Sequence, residues 1–233
     1  MGVYERQQKE KLIVQSAIKL FSSQGYHATK MDDVAKKAKM SKGLIYFYFK
    51  NKEDLYMAVT AKAFEQLTAV FKETQKVKDR KGMDLVFDLV DNFLAFTKEN
   101  RMYHEAIMNF MGLVALYNDD RLRTQIDPLI LESSNFEKLL TIHHEPAKLG
   151  AQIISLGIED KSMRADLNPE TAFYTIWSLM IGFERLSGPL DYLQKGTGVK
   201  PESWKEDIRQ FVQVMLKGSI QVQKPKAVQG SLF

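Results

Sequence analysis

The sequence contains no cysteine, which excludes disulfide bonds and any site that needs a thiolate. It also lacks a long uninterrupted apolar run, so we expect no membrane-spanning helix and no membrane partner. The first residues are polar and charged, unlike the apolar segment of a signal peptide. These absences are compatible with a reducing compartment, and we expect a cytoplasmic protein.

Signatures of catalysis and of bound cofactors are missing too. The sequence has no nucleophile elbow, Walker loop or Rossmann fingerprint. His143, His144 and Glu145 are adjacent, but neighbouring residues on a helix point about 100° apart and do not form a chelate by themselves. His27 and His104 lie far from them in the sequence. We therefore expect no enzyme, no metal site and no cofactor.

What the chain does contain is an uneven distribution of charge. Its formal net charge is +4. Residues 1–52 hold eleven Lys and Arg against four Asp and Glu, whereas the remainder holds 22 against 25. A basic segment on a mildly acidic body indicates an anionic partner for that segment. Charge alone leaves open the alternative that short helices carry lysines only to stay soluble.

Apolar residues recur at helical spacing along most of the chain, and no strand-like alternation extends over a useful length. Asn51 and the pair Asp127-Pro128 are typical helix starts. The pattern from Arg101 to Leu116 is apolar on more than one face, which predicts a buried helix. The predicted helices are 5–23, 30–38, 41–49, 52–75, 83–98, 101–116, 128–144, 147–158, 169–187 and 201–218.

The stretch at 29–55, TKMDDVAKKAKMSKGLIYFYFKNKEDL, has the pattern of two short helices and the start of a third. We expect Thr29 to cap the first in a capping box with Asp32, and Ser41 to cap the second. Gly43 leaves the next turn bare, so that backbone N–H groups can approach a phosphate. Four consecutive aromatic residues follow, and a helix of about two turns cannot bury them all. Rings interleaved with lysines suit a polyanion.

This stretch resembles the helix-turn-helix of the tetracycline-repressor (TetR) family, which are dimeric bacterial transcriptional regulators. The agreement covers about the first 55 residues at fixed spacing, and beyond them the resemblance is one of architecture. The matching residues are Phe21, Gly25, Tyr26, Thr29, Asp33, Val34, Ala35, Ala38, Ser41, Lys42, Gly43, Tyr46, Tyr48, Phe49, Lys52, Glu53, Asp54 and Leu55.

The resemblance implies that the helix 41–49 enters the major groove of duplex DNA. Residues at the start of the preceding helix would reach the DNA backbone, and Lys52 would meet a phosphate. Leu44 departs from the polar residue often found at its position in the family and could meet a thymine methyl group. The residues implied to face DNA are Thr29, Lys30, Lys42, Gly43, Leu44, Tyr46, Phe47, Tyr48 and Lys52.

For the rest of the chain, the resemblance implies a homodimer that binds a near-palindromic operator and a pocket for an effector. Helices 169–187 and 201–218 would form the dimer interface through Phe173, Trp204, Ile208, Phe211 and Met215, unless these stripes pack inside one subunit. The pocket candidates equally suit an ordinary core, and they are Phe93, Met108, Met111, Tyr117, Tyr174, Trp177, Met180 and Phe183.

The sequence thus predicts an all-α protein with a three-helix DNA-binding head at 1–52, a ligand-binding and dimerisation body at 53–218 and a frayed tail at 219–233. Helix 52–75 joins head and body, and it would transmit the binding of a small apolar, aromatic or lipid-like effector. The expected function is a ligand-responsive regulator, more often a repressor in this family. The alternatives are an all-α carrier or enzyme without DNA binding, and a DNA-binding activator or nucleoid-associated protein on the same scaffold.

Overall fold

A computed structural model describes residues 2–187 and 198–218. Within these ranges every regular element is a helix, which confirms the predicted all-α fold. Gly188 and Pro189, which are residue types typical of a helix end, follow the predicted helix 169–187 and lie outside the described residues. The predicted frayed tail at 219–233 lies outside them as well. The helices are α1 (Val3–Gln24), α2 (Met31–Ala38), α3 (Lys42–Tyr48), α4 (Lys52–Gln75), α5 (Gly82–Glu99), α6 (Arg101–Tyr117), α7 (Pro128–Leu131), α8 (Ser134–Ile142), α9 (Glu145–Glu159), α10 (Pro169–Ser187) and α11 (Pro201–Lys217), with a 3₁₀ turn at Arg123–Gln125.

The chain divides into two compact units. Unit 1 comprises Met1–Glu73 and Asn92–Leu149, and unit 2 comprises Thr74–Asp91 and Gly150–Phe233. The division passes through α4 near its end, through α5 and through α9, so each unit is assembled from segments that are distant in sequence. The predicted boundary between a head and a body at residue 52 stays a prediction.

The first three helices share their hydrophobic core with the start of α4. So small a three-helix unit cannot bury enough apolar surface alone, and α4 supplies what is missing. Leu55 and Val59 of α4 are fully buried in the same cluster as the side chains of α1 to α3. The cluster consists of Ile13, Ala17, Phe21, Met31, Val34, Ala35, Ile45, Phe49, Leu55, Ala58 and Val59.

Side-chain caps decide where the helices of unit 1 begin. Asn51 accepts the Asp54 backbone N–H at 2.7 Å, and the predicted cap at the start of α4 is confirmed. The predicted continuous helix 128–144 is wrong, because α7 ends at Leu131 and a new helix begins after Ser133. The Ser133 hydroxyl accepts the Asn135 backbone N–H at 3.2 Å, and this competition with the helical ladder favours a fresh start.

Burial of α6 is confined to one face, so the predicted burial of this helix all round is wrong. Its inward residue Phe110 packs edge-on against Phe64 of α4 and Phe136 of α8, with ring centroids 5.6 and 5.8 Å away. Met111, the next residue, is 40% exposed. Neighbouring helices of unit 1 therefore cover one apolar face of α6 and leave the other at the surface.

Unit 2 is held together by close packing and by ion pairs. A Cβ atom added to Gly150 of α9 would overlap the ring of Phe173 in α10, so only glycine fits there. Phe173 is 1% exposed and is buried inside its own unit. Asp91 of α5 lies 2.8 Å from Lys205 and 2.8 Å from Arg209, which are both on α11.

Candidate nucleic-acid interface

The helices α2 and α3 are joined by a three-residue turn and form a helix-turn-helix. Lys39 adopts the left-handed conformation with φ 56°, and the Met40 N–H donates to the Ala35 carbonyl at 3.0 Å, which closes the end of α2. Ser41 then accepts the Leu44 N–H at 3.2 Å and begins α3, as predicted. Backbone geometry and cap together fix the direction in which α3 leaves the turn.

Opposite faces of α3 have opposite environments. Ile45 points inward and is 0% exposed. Phe49, the residue that caps the C-terminal end of α3, also points inward and is 2% exposed. Tyr46 is 42% and Phe47 is 65% exposed, whereas Tyr48 is half-buried. The structure therefore leaves two adjacent large rings on the outer face of a short, well-anchored helix.

The basic residue at the start of α3 is also on the outside. Lys42 forms an ion pair with Asp32 of α2 at 2.9 Å, and both side chains are more than half exposed. Its ammonium group lies 5.9 Å from the centre of the Tyr46 ring. An exposed pair of this kind is weak, so the lysine can exchange Asp32 for a phosphate at little cost. Gly43 and the half-buried Leu44 follow it in the first turn.

The start of α2 differs from the prediction. The expected capping box between Thr29 and Asp32 is wrong, because α2 begins at Met31 and the Asp33 carboxylate accepts the Lys30 backbone N–H at 3.1 Å instead. The Thr29 side chain is 1% exposed and its hydroxyl donates to the Gly25 carbonyl at 2.8 Å. Thr29 thus supports the turn before α2, while Lys30 is exposed.

Lys52 occupies a site inside the protein that the sequence did not indicate. Its ammonium group donates to the carbonyl oxygens of Tyr26, His27 and Thr29 at 3.1, 3.4 and 3.3 Å. It also lies 4.3 Å from the centre of the Tyr26 ring, which is a cation–π contact. The neighbouring Glu53 accepts the Tyr26 hydroxyl at 3.0 Å, and burial together with this carboxylate raises the pKa of Tyr26. The first turn of α4 therefore fixes the turn between α1 and α2.

A second link at the start of α4 was also missed. Asp54 is 7% exposed, and its carboxylate accepts the Ser133 hydroxyl at 2.6 Å and the Asn135 amide at 3.2 Å. It also accepts the Lys50 backbone N–H at 3.2 Å, just after α3 ends. The chain after α3 is thereby tied to the start of α8. Acidic residues are common in the first turn of a helix, so nothing in the sequence distinguished Asp54 as a residue with long-range hydrogen-bond partners.

The eight predicted pocket residues are divided equally between the two units. Phe93, Met108, Met111 and Tyr117 belong to unit 1, and Tyr174, Trp177, Met180 and Phe183 belong to unit 2. A cavity of about 840 Å³ lies within unit 1, and none of the eight lines it. Phe93 and Met180 are buried core residues, whereas Tyr174 is 53% exposed.

The predicted dimer residues, apart from Phe173, form a stripe on α11. Trp204, Ile208 and Met215 are half-buried, and Phe211 is 53% exposed. Trp204 packs against Phe183 of α10 with ring centroids 5.1 Å apart. The stripe therefore combines contacts within unit 2 with an uncovered apolar surface.

Residues 2–187 and 198–218 hold neither a metal-binding cluster nor a helix suited to span a membrane. Among them no three His, Cys, Asp or Glu side chains are arranged so that they could hold a metal ion. None of the helices in the same ranges combines the length and the apolar character needed to cross a bilayer.

Known proteins resemble the chain in two ways, in the sequence of the helix-turn-helix and in the fold. The family model for bacterial regulatory proteins of the tetR family matches residues 13–59. The HTH-type transcriptional regulator YuxN of Bacillus subtilis is 46% identical over 52 residues, which are 22% of this chain and 18% of that relative. The negative transcriptional regulator IcaR of the biofilm operon icaADBC in Staphylococcus aureus is 30% identical over 93 residues, 39% of this chain and 50% of that relative. The chain thus spans at most about half the length of these curated relatives.

Solved structures resemble the chain over most of its length. A TetR/AcrR-family regulator from Thermobifida fusca has a TM-score of 0.64 at 19% identity, with 88% of this chain and 97% of that chain covered. The regulator FadR from Bacillus subtilis, solved in complex with stearoyl-CoA, has a TM-score of 0.58 at 17% identity, with 87% and 96% covered. At these identities the likeness concerns the fold alone. Residues 13–59 therefore match the model of the tetR family of bacterial regulatory proteins, and the fold of the chain is the fold of TetR-family regulators.

Proposed function

We propose that the chain is a DNA-binding transcriptional regulator that acts as a homodimer, and that it represses its target genes. The observation that carries the proposal is α3, a capped helix with buried anchors on one side and the exposed side chains of Lys42, Tyr46 and Phe47 on the other. The match to a family of regulatory proteins over residues 13–59 supports it. A negative regulator among the relatives favours repression over activation.

In this proposal α3 enters the major groove. The exposed ring of Phe47 and the half-buried Leu44 would meet base edges or thymine methyl groups, and Lys42 would meet a phosphate. Gly43, Tyr46, Tyr48, Thr29, Lys30 and Lys52 complete the proposed surface. Thr29 and Lys52 would act mainly by holding the turn before α2 in place, because their polar groups are bonded within the protein.

The test is binding to fragments of the host genome at several salt concentrations. Affinity should fall steeply with salt, because each neutralised phosphate releases about 0.9 of a counterion. Lys42→Ala should weaken binding and reduce the slope of log K against log salt by about 1. Lys62→Ala is the matched control, because Lys62 lies on α4 and pairs with Glu65 at 3.3 Å. Failure to bind any fragment at low salt would refute the proposal.

For the homodimer we propose the outer face of α11 together with α10. The half-exposed stripe of Trp204, Ile208, Phe211 and Met215 supplies an apolar surface of the kind that covers the centre of subunit interfaces. Two-fold symmetry would present two copies of α3 to DNA about 34–36 Å apart, which calls for a near-palindromic operator. Sedimentation of the free protein at micromolar concentration tests the stoichiometry.

For the effector we propose a small, largely apolar or aromatic molecule bound in the body of the chain. Support comes from the number of Met and aromatic side chains in α5, α6 and α10, and from the fatty acyl-CoA found in one structural neighbour. A panel of aromatic and long-chain compounds should contain members that raise the melting temperature and change operator affinity. A panel without effect on either quantity would remove this part of the proposal.

A further inference from the structure

The cavity of about 840 Å³ in unit 1 lies where the end of α1, the start of α4 and the start of α6 meet. Its volume is in the range of small-molecule sites, which is roughly 300–1,000 Å³. Residues of α1, α4, α5, α6 and α7 line it, together with the turn between α1 and α2.

Aromatic rings form one continuous part of this lining. The ring centroids of Tyr26 and Tyr56 are 4.7 Å apart, and Phe21 lies 5.5 Å from the first and 5.9 Å from the second. Tyr103 of α6 also lines the cavity, and it stacks on Phe96 with the ring planes 21° apart. These contacts hold the rings in place, so a ligand would meet a preformed aromatic surface.

The charged groups of the lining are unevenly divided. Glu99 and Glu105 contribute two carboxylates to the lining, against the guanidinium of Arg101. Lys52 and Glu53, which both contact Tyr26 beside the cavity, carry opposite charges that offset each other. The Tyr56 hydroxyl accepts the Asn109 amide at 3.1 Å. Burial raises the pKa of Tyr56, the hydrogen bond from Asn109 opposes this rise, and the negative charge of Glu105 adds to it. Glu105 lines the same cavity as Tyr56.

One ring of the lining already binds a cation. The ammonium group of Lys52 lies 4.3 Å from the centre of the Tyr26 ring. Aromatic faces attract cations most strongly where water is excluded, and a nearby carboxylate adds to the attraction. An anionic ligand would instead face Glu99 and Glu105, and a neutral one would gain nothing from them.

We propose that this cavity binds a small organic cation with a flat apolar body. The body would pack on Phe21, Tyr26, Tyr56 and Tyr103, and the charged group would face Glu105. Because Gly25, Tyr26 and His27 line the same cavity, the bound molecule would contact the turn between α1 and α2. Binding is a property of unit 1 alone and does not depend on DNA.

Three probes share one naphthalene body and differ in the charge of the group attached to it. They are (naphthalen-2-ylmethyl)trimethylammonium, 2-naphthalenemethanol and 2-naphthylacetate, each titrated into the full chain without DNA by isothermal calorimetry. The cation should bind about five to thirty times more tightly than the alcohol, since a desolvated cation–π contact adds about 1–2 kcal/mol. The anion should bind most weakly. Equal affinities for all three, or a preference for the anion, would overturn the proposal.

Two variants and one control locate the site. Glu105→Gln should weaken binding of the cation about fivefold and leave the alcohol unchanged, because it removes the charge and little volume. Ser22→Trp should abolish binding of every probe, because Ser22 is an exposed residue at the edge of the cavity and the indole would fill it. Glu10→Gln on α1, away from the lining, is the control and should change nothing. Cation binding that survives Ser22→Trp would place the site elsewhere and refute the assignment.

Discussion

The ammonium group of Lys52 is shared among three backbone carbonyls and one aromatic ring. Each carbonyl belongs to the turn between α1 and α2, outside the helical ladder, and the Tyr26 carbonyl also accepts the Thr29 backbone N–H at 3.3 Å. A hydrogen bond from a charged group contributes about 1.5–3 kcal/mol when it is well formed, and less where water competes. Lys52 therefore stabilises the position of α2, which in turn carries α3.

Lys52→Met should lower the free energy of unfolding by about 1–2 kcal/mol, because it keeps the apolar stem and removes the donors to three carbonyls. Urea denaturation at neutral pH measures the loss. Lys50→Met, at an exposed position close by, is the matched control and should change the free energy of unfolding by less than about 0.5 kcal/mol. A Lys52→Met protein of unchanged stability with a flatter salt dependence of DNA binding would show that Lys52 serves a phosphate instead.

Asp54→Ala should destabilise the protein by about 3 kcal/mol. The change leaves the Ser133 hydroxyl, the Asn135 amide and the Lys50 N–H without the carboxylate that accepts them. Asp32→Ala removes a carboxylate that is about half exposed and should cost far less. Thermal unfolding of the two variants makes the comparison, and equal shifts in melting temperature would contradict the role given to Asp54.

Contacts such as those of Lys52 and Asp54 could not be read from the sequence. Ser41 and Asn51 bond to groups three residues away, so their capping roles followed from local spacing. The partners of Asp54 in α8 are about 80 positions away, and the partners of Lys52 are backbone carbonyls that every residue possesses. Local rules therefore recover the caps, whereas long-range polar contacts need the fold.

At the scale of helices, apolar periodicity gave most elements because each helix buries one face. The predicted 52–75 coincides with α4, and the predicted 83–98 lies one residue inside α5 at each end. The prediction of one continuous helix over 128–144 failed for a physical reason. The apolar periodicity continues past Ser133, and only the capping hydrogen bond of Ser133 interrupts the helical hydrogen-bond ladder. Periodicity also overstated the burial of α6, because it reports apolar character and not the presence of a neighbour.

Two helical glycines should respond oppositely to alanine. Gly150→Ala should destabilise the protein by about 1–3 kcal/mol, because the new methyl group overlaps the Phe173 ring and forces α9 and α10 apart. Gly112→Ala in α6 meets no atom within 4 Å and should stabilise by up to about 1 kcal/mol through helix propensity. Denaturation midpoints of the two variants provide the measurement, and a loss of stability in both would mean that Gly112 has an unrecognised close neighbour.

The ion pairs between α5 and α11 should make that contact sensitive to acid. Burial works to raise the pKa of Asp91, but the hydrogen bonds and charges of Lys205 and Arg209 outweigh it and hold the pKa below its usual range. A carboxyl group whose folded pKa is depressed stabilises the protein above the unfolded pKa of about 4, and this contribution is lost as pH falls through the folded pKa.

Asp91→Asn should therefore cost about 1 kcal/mol at pH 7, a modest value because the pair is partly exposed. The difference in unfolding free energy between the natural protein and the variant should shrink as pH is lowered below about 4. Other carboxylates with lowered pKa values, such as Glu65, titrate in both proteins and cancel in the difference. A difference that is constant between pH 7 and pH 3 would contradict the pairing.

At the scale of the whole chain, the sequence indicated a helix-turn-helix followed by more helices but not how the helices group. Units 1 and 2 each combine two separate segments, and their borders fall inside α4, α5 and α9. The apolar periodicity of one segment does not show which distant segment it packs against. The sequence therefore could not show that the eight predicted pocket residues are divided between the units. The outer face of α3 was predictable, because four adjacent rings exceed what so short a helix can bury.

The uncovered stripe of α11 gives the prediction that bears on the whole assembly. Phe211 is 53% exposed in the single chain, so the fold of one subunit does not need its ring. If the stripe forms the dimer interface, Phe211→Glu places a charge at an apolar centre and opposes the same charge across the two-fold axis. The variant should keep its helical content and sediment as a monomer at concentrations where the natural protein is a dimer. Gln213→Glu, also exposed on α11, is the control.

DNA binding should follow the oligomeric state of this variant. A monomer presents one copy of α3, so it should lose most of the affinity for a near-palindromic operator while keeping weak, salt-sensitive binding through a single head. Sedimentation velocity and fluorescence anisotropy on the same samples measure the two properties together. Should Phe211→Glu remain a dimer, the interface must lie on another surface; should it become a monomer with undiminished operator affinity, two-fold recognition of DNA is wrong.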